Sequence, residues 1–185
     1  MGLIFPVVLL LVIVWVIFTY NGLVGLKHQV QNAWKQIDVQ LKRRYDLIPN
    51  LIETVKGVMK YEQDTLQKVI DARSRAMAST GVKESAEAQN ALSQSLGKVF
   101  VLIENYPELK ANQNVLQLQE ELTTTENQLA FARQYYNDTA TRFNVKQEIF
   151  PANMIAGFFR FERSELFAAA EAERVVPRVD LTLPA

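Results

Sequence analysis

From Leu3 to Val24 the chain carries no charged side chain, and residues 3–20 read LIFPVVLLLVIVWVIFTY. About 20 apolar residues in a helix cross the hydrocarbon core of a bilayer, so residues 1–24 are expected to form a transmembrane anchor. A cleaved signal peptide would need a basic start, a shorter apolar core and small residues at a cleavage site. This segment has no basic residue ahead of it and ends in Thr19-Tyr20-Asn21, so it is expected to be retained. Lys27, Lys35, Lys42, Arg43 and Arg44 follow it, against Asp38 alone. Basic residues near a span stay in the cytoplasm. The expectation is a single pass through the cell (inner) membrane, N-terminus outside and following domain cytoplasmic.

The next stretch fixes the domain. Trp34, Leu41, Ile48 and Val55 recur every seventh residue, with Ile37 and Leu51 between them, the apolar seam of a packed helix. Arg44 falls on the seam row between Ile37 and Leu51, where a charge needs a partner. Pro49 lies where a helix does not need one. Proline in a helix interior costs roughly 3 kcal/mol and frees the carbonyl four residues back, here that of Tyr45. Because the seam resumes beyond Pro49, a kinked but continuous helix is expected from Gly25 to Met77. Glu62 is a second polar intrusion in it, and Gly81 of Ser79-Thr80-Gly81 is read as its left-handed cap.

Leu92, Leu96, Val99 and Ile103 give a second helix over residues 85–105, ended by Tyr106-Pro107. A third, over residues 113–148, carries Val115, Leu122, Leu129, Tyr136 and Phe143 on one row. Leu118, Thr125, Ala132 and Thr139 form a narrower row that admits a close neighbour. After Phe150-Pro151, residues 153–173 hold Ile155, Phe158, Phe159, Phe161, Leu166 and Phe167. They are expected to form one or two short helices as a lid. Seven glycines and six prolines leave few loops. The fold class is therefore all-α: a membrane helix running into an antiparallel bundle of three long helices over residues 25–173. Residues 174–185 are expected to be an extended or disordered tail.

The wording resembles the LemA family. The likeness begins at Tyr20-Asn21-Gly22-Leu23 and returns at Glu104-Asn105-Tyr106-Pro107-Glu108-Leu109-Lys110-Ala111. It appears again at Thr125-Glu126-Asn127, Ala132-Arg133, Tyr136-Asn137 and Phe150-Pro151. It implies an N-terminal membrane helix with a small helical domain and brings no established biochemical activity. The polar residues of that pattern include Asn32, Asp38, Asp46, Asn50, Glu53, Glu126, Asn127, Arg133 and Asn137. With Arg44 they mark either a recognition surface or a structural network.

Several chemistries do not fit these residues. Twenty basic and twenty acidic residues leave no net charge for nucleic-acid binding. There is no cysteine, no Gly-x-Ser-x-Gly elbow and no clustered glycine for a phosphate loop. His28 alone cannot furnish a di-iron bundle, which needs Glu-x-x-His on facing helices. A carboxylate-only site from Glu62, Glu104 and Glu126 is the remaining metal arrangement, and paired or solvated carboxylates are the commoner use. No enzyme activity and no cofactor are expected. Lys42-Arg43-Arg44 stands about 27–30 Å along the helix from Val24, beyond the reach of headgroup potential. Arg44 is therefore expected to pair with Glu126 or Glu104.

Helix lengths suggest a second copy. A helix from Gly25 to Met77 would be about 80 Å long, against about 54 Å and 32 Å for the other two. Roughly 25 Å of it, carrying Val30, Ala33, Trp34, Ile37 and Leu41, would lack a partner near the membrane. An exposed apolar stripe implies contact, either with the lid or with another copy in the same membrane. Self-association through Val30, Trp34, Ile37 and Leu41 is the expectation. The favoured reading is a scaffold or adaptor with an unidentified protein partner or copies of itself. The alternative is a sensor binding a small ligand or stress signal between helices.

Overall fold

The computed structural model describes residues 4–167, and the described chain is all-α. The helices are α1 Ile4–Lys56, α2 Gln63–Ala78, α3 Val82–Ile103, α4 Pro107–Lys110, α5 Gln113–Glu148 and α6 Ala152–Phe158. The tail at 174–185 lies outside the described residues. So do the last six positions of the expected lid.

α1 passes from the apolar span into the bundle without a break, and Pro49 lies inside it. The carbonyl of Tyr45, left without its helical donor, accepts a hydrogen bond from Arg73 Nε of α2 at 2.8 Å. The Tyr45 hydroxyl donates to the Ala76 carbonyl at 3.1 Å. The proline thus makes an acceptor on α1, and α2 docks there. Arg73→Ala is expected to cost about 1–3 kcal/mol by orphaning that carbonyl. In a Pro49→Ala background the new amide takes the carbonyl back, so the same substitution should cost little. A double-mutant cycle in denaturant measures the coupling, and equal costs in both backgrounds would refute it.

The helix from Gly25 does not reach Met77. α1 ends at Lys56, and the amides of Val58 and Met59 both bond to the Val55 carbonyl, at 3.1 and 2.9 Å. The apolar pattern runs through this turn because Met59 is wholly buried in it. Beyond it Leu66, Val69, Ala72 and Ala76 face α3 instead of extending α1. Glu62 is the residue ahead of α2, not a polar member of a seam. Gly81 does have positive φ (81°), yet it precedes α3, and Ser79 closes α2.

α5 packs along α1 more extensively than any other pair of helices. Its start is capped by Asn112, whose side chain accepts the amides of Asn114 and Val115. Arg44 meets Glu126 and Trp34 meets Tyr136, so the helices run antiparallel, ten residues down one for ten up the other. This register brings Glu148 to the level of Gly22. With α1 ending at Lys56, its post-anchor part is about 48 Å and α5 about 54 Å, and no stretch lacks a neighbour. Val30, Ile37 and Leu41 are buried within the chain. Trp34 lies 5.3 Å from the Tyr136 ring and 6.4 Å from that of Phe167. The lengths therefore do not call for a second copy at these four residues.

Among the described residues the lid has one short helix, α6, and residues 161–167 have no regular structure. Those residues lie against α5. Asn137 Nδ2 donates to the Phe167 carbonyl and its Oδ1 accepts the Phe167 amide, at 3.0 and 2.8 Å. Asn144, seven residues on, grips the Ser164 carbonyl and amide in the same way, at 2.8 and 2.9 Å. Between them the Tyr136 hydroxyl donates to the Glu165 carbonyl at 2.8 Å. Two side-chain amides one heptad apart thus stand in for a neighbouring strand.

Candidate functional site

The buried apolar residues form two clusters. One holds Ile48, Leu51, Val55 and Leu122 with α2 and α3, the other Leu23 to Leu41 with Leu129 to Phe143. Arg44 and Glu126 lie between them, a half-polar layer crossing the bundle where the seam rows are interrupted.

Arg44 Nη2 contacts Glu126 Oε2 at 2.8 Å and donates to Ser93 Oγ at 2.8 Å. Arg44 Nη1 donates to Gln89 Oε1 at 3.2 Å. The Ser93 hydroxyl donates in turn to Glu126 Oε1 at 3.1 Å. Gln89, fully buried, donates through Nε2 to the Tyr45 hydroxyl, which passes its own proton toward Ala76. A single run of bonds therefore joins α5, α1, α3 and α2. Each donor in it has an acceptor, as a buried network requires.

The electrostatics follow from this layout. Burial pulls the Arg44 guanidinium down from its ordinary value, Glu126 pushes it back up, and Arg133 adds repulsion. Burial likewise raises the Tyr45 hydroxyl above its ordinary value. Both groups keep their protons at neutral pH and remain donors. The pair is one-sided, since the Arg44 side chain is 3% exposed and that of Glu126 39%. Glu126 opens on a cleft of about 230 Å³ lined by Arg44, Ser93, Leu96, Phe100, Leu122 and Asn127.

Seven of the ten polar residues singled out in the sequence fall into three groups; of the others, Asn32 and Asp38 are exposed on α1 and Asn127 lines the cleft beside Glu126. Arg44 and Glu126 form the layer just described. Arg133 and Asn137 hold the C-terminal segment, Asn137 through the Phe167 backbone and Arg133 with its guanidinium 4.7 Å from the Phe167 ring centre. Asp46, Asn50 and Glu53 are exposed on α1 and bond only within it, Glu53 to Lys56 at 3.6 Å and the Asn50 carbonyl to Thr54. Glu104 pairs with Lys110 at 2.7 Å, away from Arg44. Among the described residues no three of His, Asp and Glu converge as metal ligands.

Sequence reasoning did not find Gln89, Ser93, Asn144 or the part played by the Tyr45 hydroxyl. Uncharged polar residues on a helix are ordinary, and only the charge on the apolar row drew notice. One signal was available for Asn144, its heptad spacing from Asn137.

Residues 33–181 match the LemA family. The chain is 29% identical over 157 residues to Protein LemA of Metamycoplasma hominis, covering 84% of this chain and 71% of that one. It is 21% identical over 174 residues to Magnetosome protein MamQ 2 of Paramagnetospirillum magneticum, covering 80% of this chain and 64% of the relative. To Magnetosome protein MamQ of Magnetospirillum gryphiswaldense it is 20% identical over 189 residues, covering 86% and 70%.

Proposed function

The chain belongs to the LemA family, and from that premise we propose that it is a membrane-anchored helical scaffold working through protein–protein contacts, without catalysis. One observation carries the reading: the polar residues of the family pattern divide by direction. Arg44, Glu126 and Asn137 turn inward and are engaged with the chain itself. Asp46, Asn50 and Glu53, spaced i, i+4 and i+7, share an outward face of α1 and make no bond to another helix. Exposed polar residues that the fold does not use are available to a partner, either another protein or a second copy of this chain. They sit on the helix that carries the span, so the surface is held in a fixed attitude to the membrane. The domain is taken to face the cytoplasm, from the basic residues after the span.

The sensor reading has the cleft beside Glu126 in its favour. That cleft is smaller than the roughly 300–1,000 Å³ usual for small-molecule sites, and its charged groups already bond to each other.

In-cell photocrosslinking from positions 46, 50 and 53 tests the proposal, with a C-terminal reporter for topology. Discrete adducts from this face are expected, that from position 50 being lost when Asp46 and Glu53 are both changed to lysine, together with a reporter active in the cytoplasm. The scaffold reading is wrong if all three positions give no adduct. A saturable ligand-induced thermal shift abolished by Asn127→Ala would favour the sensor instead.

A further inference from the structure

α6 is built inside out for a surface in water. Ala152 and Ala156 face inward and are buried, whereas Met154 is 65% exposed and Phe158 80%. Phe150, Ile149 and Phe159 extend the exposed apolar surface on either side. Residues 149–159 read IFPANMIAGFF, with no charge among them, and Arg160 follows at once. A patch of this kind marks a contact.

Its depth says with what. The Phe159 ring centre is 4.6 Å from that of Tyr20 and the Phe161 ring 5.9 Å from it. Tyr20 belongs to the apolar span, and a helix rising 1.5 Å per residue from Ile4 needs about 20 residues to cross a hydrocarbon core. That count ends near Leu23. Thr19 and Leu23 are buried, so the bundle already covers the last turns of the span. Phe159 closes α6, so α6 cannot stand clear of the bilayer while that ring lies against Tyr20.

We propose that α6 is a second membrane contact, a short helix lying in the interfacial layer on the side where α1 emerges. Phe150, just ahead of it, and its outward Met154 and Phe158 enter the acyl-chain boundary, and Arg160 reaches back to the lipid phosphates. The proposal rests on α1 spanning the membrane and is independent of the scaffold reading.

The test uses the full chain, which has no native cysteine, in phosphatidylcholine–phosphatidylglycerol vesicles. Single cysteines at Met154 and Phe158 carry an environment-sensitive fluorophore. Val14 in the span is the positive control, and Phe131, 73% exposed on α5, is the negative one. Both α6 positions should emit to the blue of position 131, and brominated acyl chains should quench them as they quench position 14. If 154 and 158 behave like 131 while 14 is quenched, the proposal is overturned and the span stands. Blue emission without quenching would place protein over α6, such as a second copy, and overturns it equally.

Discussion

Glu126→Ala is expected to lower the unfolding free energy of the bundle by about 3 kcal/mol, the lower end of the cost of breaking a buried ion pair. The substitution strands a guanidinium that is 3% exposed, while Ser93 and Gln89 remain as its acceptors. Water in the adjoining cleft offsets part of the loss, which is why the upper end does not apply. The reverse change is milder. Arg44→Met frees a carboxylate that water already reaches and orphans mainly the fully buried Gln89 carbonyl, a cost of about 1–3 kcal/mol. Denaturant titration of the full chain in lipid nanodiscs can follow Trp34, against Trp15 as the only other indole. Equal midpoints for Glu126→Ala and parent would make the pair mere surface decoration.

Phe143→Ala should cost about 3–5 kcal/mol, the range for truncating a buried aromatic side chain. Phe143 is 1% exposed and sits 6.2 Å from the Phe161 ring, at the point where the C-terminal segment folds back on α5. Release of that segment should precede global unfolding, read as protease cleavage near Arg160 or Arg163 in otherwise native conditions. Phe131→Ala, at a 73% exposed site on the same helix, should change stability little. Similar costs for the two would contradict the packing described here.

The heptad row from Val115 to Phe143 made α5 legible because no charge interrupts it, and Phe150-Pro151 marked where it stops. The same spacing misplaced the end of α1. Val55, Met59 and Leu66 are all buried, so the apolar spacing survives a turn, and Gly57 is a weak stop signal without a proline beside it. That one boundary produced the length mismatch, and the mismatch produced the expectation of a second copy over Trp34. Arg44 could be read because a charge on an apolar row is costly without a partner. Which carboxylate it meets depends on the antiparallel register, and one sequence does not contain that. The freed carbonyl of Tyr45 was foreseeable from Pro49, but its donor, Arg73, belongs to a helix whose start had been missed.

α1 is one continuous helix from Ile4 to Lys56, with Pro49 inside it, and in the proposed spanning arrangement it would act as a lever with the bilayer as its mounting. Where the bilayer thins, a span that is too long for it tilts. A tilt of about 10° would carry the far end of a 48 Å arm roughly 8 Å sideways. Residues 46–53 ride near that end. Membrane thickness would then set where this face is presented, with no hinge to absorb the motion.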